Sequence, residues 1–188
     1  THTQTNRKDP LKYRQIQSTD LTVSEIGFGV WSVSMNWWGE VSEPDAIQLL
    51  RKAADLGITF FDTADTYGAG YGEEIVPKAL ADRRGEAVLV TKVCGAMGDG
   101  PNDSGTSRYH ILAEVENSLR RLDTDHIDLY LIHRADPGTP IQESIAAFIE
   151  LVEAGKIRHW GISNFDVGQT LEVLEACDAG GWTRPVVH

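Results

Sequence analysis

Cysteine is scarce. Cys94 and Cys177 are the only two among 188 residues, too few for a disulfide framework, so a reducing, cytoplasmic setting is expected. Basic residues are outnumbered, with 17 Lys and Arg against 28 Asp and Glu and a formal charge of −11. Nucleic acid and anionic membrane surfaces both select a basic face, so neither is expected as a partner. No apolar run approaches the ~18 residues of a membrane span, and the polar start does not read as a signal peptide. No His, Cys and carboxylate spacing forms a metal site. What remains is an ordinary globular composition, 41% hydrophobic and 24% charged, at a length that suits one domain. Thr1 to Asp9 are polar and unpatterned. They are expected to be a loose arm ahead of a single domain over residues 10–188.

The chain does have short apolar runs that end on a polar residue. Ile58-Thr59-Phe60-Phe61 stops at Asp62, Val88-Leu89-Val90-Thr91 at Lys92, and Leu129-Tyr130-Leu131-Ile132 at His133, followed by Arg134. Runs of this kind read as buried parallel strands, each expected to end at its polar residue. In α/β folds the chemistry gathers where such strands end.

Around these runs the pattern is βα repeated. Residues 12–16 and 21–24 read as a hairpin, and residues 26–31 as the first core strand. Helices follow over 42–56, 73–83, 107–122, 141–154 and 166–179. Ser42, Ser107 and Asp166 are N-caps, Ser42 with Asp45 resembles a capping box, and Gly57, Gly155 and Gly180 are stops. Strands over 127–132 and 157–162 complete five units, and residues 185–188 open a sixth strand. Parallel strands with right-handed crossovers every 30 residues or so suit a TIM-type (β/α) barrel, eight-stranded when whole. About five and a half of eight units are present, so an incomplete barrel with an N-terminal hairpin is expected.

Asp62, Tyr67, Lys92 and His133 then converge on a coherent chemistry. A tyrosine is a poor acid near neutrality, but a neighbouring lysine favours its phenolate. A carboxylate can hold that lysine, and a neutral histidine can orient a carbonyl by hydrogen bonding. Hydride would come from a cofactor.

At these residues the chain resembles the aldo-keto reductase superfamily. The resemblance rests on Phe60-Phe61-Asp62-Thr63-Ala64-Asp65-Thr66-Tyr67-Gly68, Val90-Thr91-Lys92-Val93, Ile127 to Arg134, and Gly155 to Phe165, where Ser163-Asn164 fall. It runs from about Lys12 to the last residue and is nearest the bacterial reductases and the potassium-channel β-subunit-like branch. It implies a catalytic tetrad of Asp62, Tyr67, Lys92 and His133, with Tyr67 as proton donor. It also implies that Ser163 and Asn164 hold the nicotinamide carboxamide. Gly29, Val30 and Trp31, with Asp62, would touch the cofactor, and Trp31, Trp37 and Arg134 would border the substrate pocket. The implied activity is reduction of aldehydes and ketones with NADPH, NADH being a possible substitute.

The family's glutamine contact to the nicotinamide and its phosphate-binding loops lie beyond the last residue here. A C-terminally truncated member with weakened cofactor affinity and activity is therefore expected. Open strand edges invite a second copy, so a homo-oligomer covering them is also expected. Two rival readings remain. One is a cofactor-binding or regulatory protein with little turnover; the other is a Schiff-base lyase built on Lys92. The glycines at 68, 70 and 72 mimic a dinucleotide fingerprint, but the third falls one place early, and the segment reads instead as a substrate-side loop. His110, His126 and His159 read as surface or strand-face residues.

Overall fold

Phe60 and Asp62, Val90 and Lys92, and Leu129, Leu131 and His133 alternate along their strands, so each set points to one side of its strand. That parity places all three polar residues on the same side of the sheet. The computed structural model of the chain describes residues 11–188 apart from Asn36 and Trp38. The expected N-terminal arm and Trp38 therefore lie outside the described residues.

Strands β1 (Tyr13–Gln15) and β2 (Thr22–Ser24) form an antiparallel hairpin. Thr19 ties its turn by donating to the Ile16 carbonyl at 2.8 Å and accepting from Leu21 N at 3.0 Å. The hairpin docks on the entry to the next strands, where the Tyr13 hydroxyl donates to the Gly57 carbonyl at 2.9 Å. Ser24 and Thr59 exchange two 3.0 Å hydrogen bonds there. It thus covers the end of the sheet opposite Asp62, Lys92 and His133.

Strand β3 (Phe28–Gly29) is shorter than expected, because the chain turns at Val30 into helix α1 (Trp31–Ser34). Val30 N still bonds to Asp62 O at 2.8 Å, after which Val33 and Ser34 return to the Val30 carbonyl. Gly29 stands directly before that turn. Helix α2 (Glu43–Asp55) starts at Ser42, whose Oγ accepts from Asp45 N at 3.3 Å and donates to the Asp45 carboxylate at 2.6 Å. The second bond replaces the reciprocal half of a capping box. Gly57, at φ 92°, makes the stop.

The remaining elements are β4 (Phe60–Asp62), α3 (Tyr71–Leu80) with a 3-10 turn at Ala81–Glu86, β5 (Val88–Val93) and α4 (Arg108–Arg121). They continue with β6 (Ile127–Ile132), α5 (Ile141–Glu153), β7 (Ile157–Ile162) and α6 (Val167–Gly180). Strands β3 to β7 pair in parallel and in chain order, the wall of a (β/α) barrel over five strands. Strand β5 does not end at Lys92 but runs through it to Val93. The lysine's backbone stays in the ladder while its side chain finds a polar partner inside. Helix α6 ends one residue later than expected, at Gly180, and Gly181 takes the left-handed turn at φ 65°.

Two apolar layers hold the arc. The larger lies between strands and helices, centred on Phe61, Tyr130, Phe148 and Trp160, all at most 1% exposed. The smaller lines the inner face, where Val90, Leu129 and Leu131 are covered by Ile16, Phe60, Val186 and Val187. The expected sixth strand is represented by two backbone bonds beside β7, Val186 N to Trp160 O and Ile162 N to Val187 O. Gly161 permits this approach: a Cβ there would lie 2.6 Å from Val187 Cγ2.

Candidate active site

Lys92 is 5% exposed, and its ammonium has three donors. All three are used: Asp62 Oδ1 at 2.7 Å, the Thr63 carbonyl at 2.7 Å and the Tyr67 hydroxyl oxygen at 3.3 Å. β5 supplies the lysine, the end of β4 the carboxylate, and the turn after β4 the phenol. An amine fixed in this way, with its carboxylate held against it, is a positioned cation and not a free nucleophile. That arrangement counts against the Schiff-base reading of Lys92.

His133 follows β6 directly, its N–H bonded to Val93 O at 2.9 Å. Its ring stands edge-on to Tyr67, with centroids 5.7 Å apart and planes at 76°. Burial, with the neighbouring Lys92 and Arg134 charges, lowers its pKa to about 4. The imidazole is therefore neutral near pH 7 and has one N–H to donate. The four residues expected to meet do meet.

After β7, Asn164 adopts φ 56°, a left-handed conformation that asparagine tolerates. Its Nδ2 donates to the His133 carbonyl at 2.9 Å and to Ser163 Oγ at 3.0 Å. Those two bonds use neither the Asn164 amide oxygen nor the Ser163 hydroxyl hydrogen, one acceptor and one donor, a set complementary to a carboxamide. Gly29 is exposed, with no atom within 4 Å of where its Cβ would be, so the chain leaves open space there. Val30 is fully buried beneath it. Trp31 and Trp37 meet edge-on at 5.5 Å, and Trp37 is 75% exposed. Arg134 is exposed and lies against Cys94, whose thiol burial pushes up while Arg134 opposes the shift. Cys94 is thus not activated.

Other expected features are placed differently. His110 is 3% exposed, not on the surface, and its Nδ1 lies 3.1 Å from the Asn102 carbonyl, pinning the long loop after β5. Gly68 and Gly72 pack the loop after β4 on itself and on α1, while Gly70 faces Arg121 of α4. Among the described residues no three His, Cys, Asp or Glu side chains could hold a metal ion, and no helix is long and apolar enough to cross a membrane.

Sequence reasoning missed the Thr63 carbonyl as a partner of Lys92, and it missed a polar cluster behind β5. There Thr91 Oγ1 donates to Glu73 at 2.5 Å, and Arg121 binds Glu73 at 2.6 Å and also Glu114. Glu73 sits among Ile75, Val76, Ala79 and Leu80 on the buried face of α3. An acid on an apolar face was the available signal.

Known proteins resemble this chain over most of its length. A holo-form aldo-keto reductase from Bacillus halodurans superposes with a TM-score of 0.79 at 39% identity, covering 88% of this chain and 54% of that one. The Bacillus subtilis aldo-keto reductase YhdN is 42% identical over 161 residues, which is 85% of this chain and 49% of that protein. A probable voltage-gated potassium channel subunit beta of Arabidopsis thaliana is 34% identical over 95% of this chain and 54% of its own length. The chain thus spans about half the length of the curated relatives it matches. Residues 25–188 match the Aldo/keto reductase family from the first core strand to the last residue, and the chain belongs to that family.

Proposed function

We propose that this chain reduces aldehydes or ketones to alcohols with NADPH, or with NADH in its place, and that Tyr67 donates the proton. The observation that carries this reading is the Lys92 ammonium, 3.3 Å from the Tyr67 oxygen and anchored on Asp62. A substrate carbonyl oxygen set between Tyr67 and the neutral His133 accepts two hydrogen bonds. As the carbon is reduced, that oxygen takes the phenolic proton, and the phenolate left behind is stabilised by the Lys92 charge. Asp62 keeps the ammonium in place and balances its charge. A reduced nicotinamide, when bound, supplies the hydride. Ser163 and Asn164 have the donor and acceptor its carboxamide needs, and the open space at Gly29 leaves room for the ring. Trp31 and Trp37 offer an aromatic wall on the substrate side, with Arg134 at its polar rim.

NADPH oxidation in the presence of simple aldehydes, measured for the wild type and Tyr67→Phe, tests the assignment. A loss of turnover with retained NADPH binding is expected; equal rates would reject Tyr67 as the donor. The likeness to a probable channel subunit favours a second reading, in which the chain binds the cofactor with little turnover. NADPH titration by fluorescence that shows binding, with no aldehyde reduced, would select it. Self-association over the outer edge of β3, which pairs with β4 alone in the sheet, is also proposed. A monodisperse monomer in sedimentation would overturn it.

A further inference from the structure

The polar cluster behind β5 is not used by the proposed reaction. Asp65 lies in it, fully buried, three residues beyond the end of β4. Its N–H points to the Lys92 carbonyl at 3.3 Å, and its Oδ1 accepts from Thr66 N at 2.6 Å. Its Oδ2 has no partner among the described residues. The groups around it are Glu73 on α3, Glu114 and Arg121 on α4, Tyr130 on β6 and Cys94 just past β5. Arg121 already serves both Glu73 and Glu114. Three buried carboxylates therefore face one guanidinium, and Asp65 is the one without an ion pair. The Tyr130 hydroxyl, also fully buried, likewise has no partner.

A carboxylate that is buried, unpaired and close to two others is more stable with a proton on it. We infer that Asp65 is a positioning residue that carries a proton while the Thr63–Tyr67 turn is seated, and that losing the proton loosens the turn that sets the Tyr67 phenol on Lys92. The turn is short and tightly drawn: Tyr67 N bonds to Ala64 O at 3.2 Å, and the Tyr67 carbonyl accepts from Gly72 at 2.8 Å. Asp65 is its midpoint. An ionised Asp65 is repelled by Glu73 and Glu114, and the outlet for that repulsion is movement of the turn toward water. Burial, then the Glu73 charge, raise its pKa to about 7, so the change falls within ordinary working pH. The consequence for catalysis rests on Tyr67 being the proton donor, but the titration does not.

Carboxyl and tyrosine-ring NMR resonances, followed against pH in the 13C-labelled chain, test both parts. Asp65→Asn keeps the acceptor for Thr66 and fixes the neutral form. In the wild type one carboxyl resonance is expected to titrate with a midpoint of about 7, and Asp65→Asn to lose it. The Tyr67 ring signal, assigned by its loss in Tyr67→Phe, is expected to shift with the same midpoint in the wild type and to stay fixed in Asp65→Asn. If Asp65→Asn does not fold, thermal melts of His133→Gln, which lacks the opposing His133 contribution, serve: the midpoint should fall as pH rises from 4 to 7 and then level. An Asp65 that titrates near the ordinary carboxyl range, or a Tyr67 signal unmoved through the transition, would overturn the proposal. Unchanged turnover in Tyr67→Phe would instead reject the proton-donor reading while leaving the titration intact.

Discussion

The Lys92 ammonium lies 4.9 Å from the centre of the Tyr67 ring and 3.3 Å from its hydroxyl oxygen, and the same ammonium sits 2.7 Å from Asp62. One cation is thus shared between a phenol and a carboxylate. Removing the cation separates its electrostatic task from the chemistry of the phenol. Lys92→Met is expected to lower carbonyl reduction by about 10²–10⁴-fold, the usual worth of a positioned acid–base group. Steady-state NADPH oxidation with saturating aldehyde measures it.

His133 gives a pH prediction with a defined sign. Its folded pKa, about 4, is below the ordinary 6.5, so the unfolded chain takes up this proton first on acidification. Its contribution to stability is intact above pH 6.5 and is lost as pH falls toward 4. In thermal melts, the wild-type midpoint minus that of His133→Gln should fall as pH drops through that window, whatever the other groups add to both curves. Parallel curves would count against a neutral, shielded imidazole.

Gly72 occupies the second position of α3, where a Cβ would lie 2.8 Å from Thr63 Oγ1 and 2.9 Å from Tyr67 Cβ. Alanine elsewhere in a helix is favourable; here it pushes on the turn that carries the phenol. Gly72→Ala is expected to cost about 1–3 kcal/mol of stability through overpacking. It should also reduce turnover more than it weakens NADPH binding. Urea unfolding and kinetic titrations together check both.

Phe148 on α5 is fully buried between Tyr130, stacked 5.2 Å away with planes at 28°, and Trp160, 5.8 Å away. Phe148→Ala leaves a cavity between α5 and strands β6 and β7, at a cost of about 3–5 kcal/mol. Denaturant unfolding followed by tryptophan fluorescence reads the loss. The same strands end at His133 and Ser163, so site geometry should loosen with it.

Most of the fold could be read from the chain because its signals are local. Ser107 and Asp166 cap helices by bonding to His110 N and Gln169 N within one turn. The strands expected at 127–132 and 157–162 coincide with β6 and β7 to the residue. The misplaced ends have causes that are not local. Val30 begins a helix while still bonded to β4, and Lys92 remains inside its strand because Asp62, 30 residues earlier, neutralises it.

The sequence alone determined the order of strands and helices, and strand parity determined which residues point into the arc. Asp62, Lys92 and His133 each close an apolar run, which the sequence shows by itself. Only the tertiary structure decided how they engage. The parallel register pairs Asp62 with Val90 and Lys92 with Leu131, a stagger that lets the lysine reach back to the carboxylate and across to the phenol. It also decided that Glu73 on α3 and Glu114 on α4 share the Arg121 guanidinium while the buried Asp65 lies beside them without an ion pair. Such a balance of charge depends on burial and distance, and neither is written in the spacing of the chain.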